Sequence, residues 1–225
     1  AGSIKDRTAL GIILDAEEKN LIEPGGTVVE GTFGNTGIGL ALVCNAKNYN
    51  LKVVMPNITV PSKRDILKNM GAELHLVDAK PYSDPGNYQR VSQKLALELE
   101  KETGKKTFWA GQFENLANYK FHEKTTAKEI FDQTEGKVDG FTCAIGTGGT
   151  LTGVSVGLKS FNKNIFIACT DSQGSSMYNY FTNGTPEKKG DESITEGIGQ
   201  ARVTKNLENC TVDQSFYVSD NECME

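Results

Sequence analysis

No run of apolar residues in this sequence approaches the length of a bilayer span, so nothing in it reads as a membrane-crossing segment. An excess of positive charge is also missing. Lys and Arg number 24 against 29 Asp and Glu, a formal charge of −5 at pH 7, which argues against nucleic acid as a partner. Histidine is scarce. His75 and His122 are the only two and stand at unrelated positions, so they make no metal pattern. The five cysteines (Cys44, Cys143, Cys169, Cys210, Cys223) are odd in number, widely spread and without a C-x-x-C pair. They read as reduced core or near-surface thiols of an intracellular protein, not as a disulfide frame or a zinc site. No internal repeat is evident.

What is present is glycine at the ends of strands. Residues 141–145 form a short apolar strand that breaks into Gly146, Thr147, Gly148, Gly149 and Thr150 before Leu151, Val154 and Leu158 resume as a helix. Glycines let backbone N–H groups approach an anion, threonine hydroxyls add donors, and the helix start supplies partial positive charge. This is a phosphate cradle by geometry, although it has neither the Gly-Lys-Ser/Thr of a nucleotide loop nor the dinucleotide spacing. A tight strand-to-helix turn is the plainer reading of the same glycines. A second junction of this kind follows the strand over 27–30: Thr32, Phe33, Gly34, Asn35 and Thr36 precede another apolar helix. Its amides, two hydroxyls and a carboxamide suit a carboxylate better than a phosphate.

Strands are expected over 51–55, 73–77, 107–110, 137–145 and 165–170, and helices over 61–70 and 87–103, the latter closed by Gly104. Their alternation implies βαβ units, parallel sheet covered on both faces, and ligands at the carboxyl ends of the strands. Gln112 falls at such an end. Near the start, Ser3 and Asp6 match a capping box, which puts Lys5 in the first helical turn. A cation there opposes the helix dipole. The same field favours the uncharged amine that a Schiff-base nucleophile needs, although a surface lysine is the simpler reading. The chain opens without an initiator Met and stops just after Ser219, Asp220, Asn221 and Glu222, which read as the start of a helix. N- and C-terminal parts of the fold are therefore expected to lie outside it.

Five segments together resemble the cysteine synthase and cystathionine β-synthase family of fold-type II pyridoxal-phosphate enzymes. They are Gly2-Ser3-Ile4-Lys5-Asp6-Arg7, the 30–37 loop, the segment of Gln112, Phe113, Asn115, Ala117, Asn118, His122, Thr125 and Thr126, the 146–150 loop, and Glu196-Gly197-Ile198-Gly199. The resemblance implies an α/β, three-layer αβα architecture with two parallel-sheet-based domains. Residues 1–10 and 114–225 would form the larger, cofactor-binding domain, and 11–113 a smaller mobile substrate-binding one. It implies pyridoxal 5'-phosphate bound covalently by the catalytic Lys5. Asn35 would reach its phenolic oxygen, Gly146, Thr147, Gly148, Gly149 and Thr150 its phosphate, and Gly197 its ring. Thr32, Phe33, Gly34, Asn35, Thr36 and Gln112 would bind the substrate carboxylate.

The activity implied is β-replacement, making L-cysteine from O-acetylserine and sulfide through an aminoacrylate, by a homodimer in the cytoplasm or an organelle such as the mitochondrion. Cystathionine β-synthase, with homocysteine as nucleophile, shares these motifs. A dehydratase fits the 112–118 segment less well. Phe33 stands where the family has a small residue, commonly Ser or Ala, which keeps open a catalytically inactive relative acting as a scaffold. Leu116 replaces a common proline. The family's partner for the pyridine nitrogen would lie past Glu225.

Overall fold

The computed structural model describes residues 2–225, in two compact units, the first ending at Gln112 and the second running from Phe113 to Glu225. The first unit holds α1 (Lys5–Glu18), β1 (Thr27–Gly31), α2 (Asn35–Lys47), β2 (Asn50–Pro56), α3 (Pro61–Asn69), β3 (Glu73–Val77), α4 (Tyr88–Thr103) and β4 (Thr107–Trp109). Its four strands are all parallel, in the order β3-β2-β1-β4. The central strands bury consecutive residues, Val28 and Val29 in β1 and Val53, Val54 and Met55 in β2, as strands with both faces covered must. The chain steps from β1 to β2 to β3 and then returns to the far side of β1 as β4. That reversal opens a crevice at the carboxyl ends of β1 and β4.

Helix α1 buries Ala9, Ile12, Ile13 and Ala16, one stripe at helical spacing. It packs against α2, where Gly39 permits backbone contact: a Cβ there would lie 2.8 Å from the Lys5 carbonyl oxygen. The expected capping box does not form. Ile4 already has helical angles (φ −59°, ψ −17°) and is the N-cap. Ser3 Oγ therefore accepts the Lys5 N–H (3.3 Å), and the Asp6 N–H turns to the Ser3 carbonyl instead (3.2 Å). Helix α4 begins and ends where its residues say it should. Asn87 caps it by accepting the Gln89 N–H, and Gly104 closes it in the left-handed region.

The second unit holds α5 (Ala117–Phe121), a π turn (His122–Thr126), α6 (Ala127–Gln133), β5 (Gly140–Cys143), α7 (Gly149–Phe161), β6 (Phe166–Ser172), α8 (Met177–Asn183), a 3-10 turn (Lys205–Leu207), β7 (Gln214–Val218) and α9 (Asp220–Met224). Its strands are parallel in the order β5-β6-β7. Leu151, Val154 and Leu158 of α7 meet Ile145, Ile165, Ile167, Met177 and Leu207 in its core. Strand β5 is shorter than the expected 137–145. Lys137 is held in a turn by the Thr134 carbonyl, so pairing starts only where the Asp139 carbonyl accepts the Phe166 N–H. The other face of α7 is lined by Gly149, Gly153 and Gly157, which let it touch α5, the π turn and α6 directly. Ser219 and Glu222 form a full capping box on α9.

Among the described residues no helix is long and apolar enough to cross a membrane. All five cysteines are free thiols, and burial pushes Cys44 up to about 12.

Candidate active site

In the first unit the 32–36 loop begins at the carboxyl end of β1. The Thr32 N–H donates to the Val54 carbonyl (3.0 Å), which carries the parallel ladder one residue past the strand. The chain then turns sharply. Gly34 (φ 135°) is the N-cap of α2 and brings no side-chain cap, while its N–H donates to Thr32 Oγ1 (3.0 Å). Helix α2 thus presents its first amides and dipole to this end of the sheet. The Thr32 amide is engaged by β2 and the Gly34 amide by the loop's own Thr32 hydroxyl, which leaves those of Phe33, Asn35 and Thr36 as the loop's ligand donors.

Gln112 reaches this loop from β4, across the crevice. Thr36 Oγ1 donates to Gln112 Oε1 (2.5 Å), and Gln112 Nε2 donates to Glu30 Oε1 (3.0 Å) and the Gly31 carbonyl (3.3 Å). Glu30 also accepts the Gln112 main-chain N–H (3.3 Å). The Phe33 ring rests edge-on against Tyr88 of α4, centroids 5.2 Å apart. The stem of Lys63 covers Gly34 so closely that a Cβ there would be 2.6 Å from Lys63 Cδ. The Gly39 contact ties the backbone of Lys5 to the helix that this loop starts.

Glu30, Tyr88 and Lys63 are the members of this site that pattern reading assigned no role. Glu30 alone left a signal, a carboxylate directly after two valines. Its burial pushes the carboxyl up to about 8. The sign for stability follows. The folded chain holds a proton that the unfolded chain, titrating near 4.5, has lost. The contribution is full below that value and disappears as pH rises through about 8. Urea unfolding of the wild type from acidic to alkaline pH should carry this slope, at most about 1.4 kcal/mol per pH unit. Glu30→Gln should lack it.

In the second unit the 146–150 loop is held from behind at four points. Gln200 Nε2 donates to the Gly146 carbonyl (2.9 Å), Asn118 Nδ2 to Thr147 Oγ1 (2.9 Å), and Thr204 Oγ1 to the Thr147 carbonyl (2.7 Å). Thr150 Oγ1 lies 3.5 Å from Nε2 of the fully buried His122. Gly148 takes φ 86° as N-cap of α7, with no side-chain cap. A Cβ on Gly149 would fall inside the Asn118 carboxamide. Glycine is thus required on the protein side of the loop; the Gly149 N–H turns back onto Thr147 Oγ1 (3.3 Å), while the other amides at the helix start and the threonine hydroxyl protons are there for an anion. The Gly199 N–H donates to the Ile145 carbonyl (2.9 Å), which brings the segment of Gly197, itself exposed with φ 86°, beside this loop. Asn118→Ala should destabilise the protein by about 1–3 kcal/mol in urea unfolding, because Thr147 and the Gly149 turn lose a buried partner.

The geometry is that of an anion cradle in one unit and a carboxylate loop with a lysine-bearing helix in the other. The whole chain, residues 1–225, matches the family model described as pyridoxal-phosphate dependent enzyme. The chain belongs to that family. It is 46% identical to cysteine synthase 1 of Neurospora crassa over the full chain, and it spans 59% of that protein's length. A cysteine synthase of Staphylococcus aureus is 40% identical, with 100% of this chain and 68% of that protein covered. Among solved structures, a hydrogen sulfide-producing enzyme of Fusobacterium nucleatum is 33% identical with a TM-score of 0.81, covering 99% of this chain and 70% of that one. The family's cofactor is pyridoxal phosphate. The residues present fit such a group, since the second unit offers a loop that requires glycine at 148 and 149 and whose remaining donors suit a phosphate.

Proposed function

We propose that the protein acts as a cysteine synthase, replacing the β-substituent of O-acetylserine with sulfide to give L-cysteine. Bound pyridoxal phosphate supplies the electron sink that makes the substrate's α-proton acidic. Lys5 Nζ is the amine that would hold the cofactor and that would take that proton. Amides of 146–150 and the hydroxyls of Thr147 and Thr150 would hold the cofactor's phosphate, Asn35 would donate to its phenolic oxygen, and Gly197 would serve its ring. The 32–36 loop and Gln112 hold the substrate carboxylate.

Residues 11–113 form the smaller, mobile part, closing over the substrate and excluding water, and 1–10 with 114–225 the larger. The working form is a homodimer inside the cell. The observation that carries this reading is the Thr36–Gln112 hydrogen bond, which joins residues 76 positions apart into one polar group on a loop where α2 begins.

A visible spectrum of the cofactor-loaded protein tests it. The band should change on adding O-acetylserine and return when sulfide, rather than homocysteine, is supplied. A return only with homocysteine would make it a cystathionine β-synthase. A cofactor band indifferent to every amino acid would favour the inactive relative, with Phe33 filling the pocket.

A further inference from the structure

Glu30 is fully buried at the carboxyl end of β1, and the groups bonded to it among the described residues are amides. The donors around it all run inward. The Thr36 hydroxyl donates to Gln112 Oε1, and Gln112 Nε2 donates to Glu30. In this arrangement an anion at the 32–36 loop meets the oxygen end of the Gln112 amide, and the Thr36 proton is already committed. One proton on Glu30 lets the chain run the other way. The Glu30 O–H then donates to Gln112 Oε1, the amide turns over so that Nε2 gives up its long bond to the Gly31 carbonyl (3.3 Å) and points towards Thr36, and the Thr36 hydroxyl is released to donate outward. Two donors replace an acceptor.

We propose that Glu30 is a positioning residue that works in its protonated form, its proton reversing the Glu30–Gln112–Thr36 chain so that N–H and O–H face the carboxylate of the bound amino acid. Molecules in which Glu30 is ionised take that proton from solvent on binding. The inference rests on the carboxylate-binding role proposed above for this loop.

The surroundings favour the proton. Burial is the main cause of the raised Glu30 carboxyl, and hydrogen bonds from Gln112, Gly111 and Gly31 offset it only in part. Among the described residues no cation faces it from the elements packed on β1. Lys47 of α2 pairs with Glu17, and Lys52 of β2 with Glu73. On α4, Arg90 lies over Tyr82, Lys94 pairs with Glu98, and Glu100, Lys101 and Glu102 are exposed. Strand β4 carries no charge.

The test is the affinity of the cofactor-loaded protein for L-alanine, which has the carboxylate but no leaving group, read from the visible band between about pH 6 and about pH 9.5. Wild-type affinity should fall by up to about tenfold per pH unit above the Glu30 titration, relative to Glu30→Gln. A glutamine there can donate to Gln112 Oε1 at every pH, so the variant should hold the acid-side affinity throughout. Titration of the ligand amine is common to both proteins and cancels in the ratio. Parallel curves would overturn the proposal while leaving the carboxylate loop standing. A wild-type band that ignores L-alanine at every pH would overturn both.

Infrared difference spectra give a readout independent of ligand and turnover. The wild type should show the carbonyl stretch of a buried protonated carboxyl at neutral pH, fading with a midpoint near 8. Its absence would also sink the proposal.

Discussion

Lys5→Ala is expected to abolish turnover and leave the fold intact. Lys5 is half-buried in the first turn of α1, outside the stripe of Ala9, Ile12, Ile13 and Ala16 that packs that helix. Alanine is the better helix former, so the unfolding midpoint should stay or rise slightly. Loss of the proton-transferring amine alone should cost about 10²–10⁴-fold in rate. Loss of covalent attachment should remove the protein-bound absorption band. Lys5→Arg should be equally inactive, because guanidinium keeps the charge but cannot give up a proton. That comparison separates the amine's chemistry from its charge. A Lys5→Ala protein that still turns over would remove the basis of the proposed mechanism.

Gly153→Ala is the second large effect, and its sign is diagnostic. In an open helix, Gly→Ala stabilises by about 0.8–1.0 kcal/mol. In α7 the new methyl would land on the Tyr119 carbonyl and within 2.6 Å of His122 Cβ, both on elements that cannot step aside cheaply. Overpacking of this kind should destabilise by about 3 kcal/mol, measured by urea unfolding. Because α7 starts at the 146–150 loop and His122 lies beside Thr150, cofactor affinity should fall with it. A Gly153→Ala protein more stable than the wild type would mean that α7 does not approach its neighbours this closely.

Much of the local structure was legible in the residues. Gly104 and Asn87 bracket α4 because a left-handed closing residue and a side-chain acceptor are local requirements that glycine and asparagine meet without distant partners. Ser219 and Glu222 announced α9 for the same reason. The Ser3–Asp6 pair has the same spacing and fails, because the helical angles of Ile4 shift the cap by one residue and no local rule weighs that. The expected length of β5 is too great, since Lys137 bonds in a turn and the strand runs only over Gly140–Cys143.

The glycine loops, the first-turn lysine and the parallel α/β plan were determined by the sequence itself, since each depends on conformational preferences of neighbouring residues or on apolar periodicity. Only the tertiary structure decided the rest. The strand order β3-β2-β1-β4 puts β4 beside β1 and thereby Gln112 beside Glu30, 82 positions away in the chain. Likewise Asn118 and Thr147 meet because the glycine face of α7 lets two backbones touch. Such contacts are set by which elements share a face, a balance of packing over the whole unit that no stretch of residues carries alone.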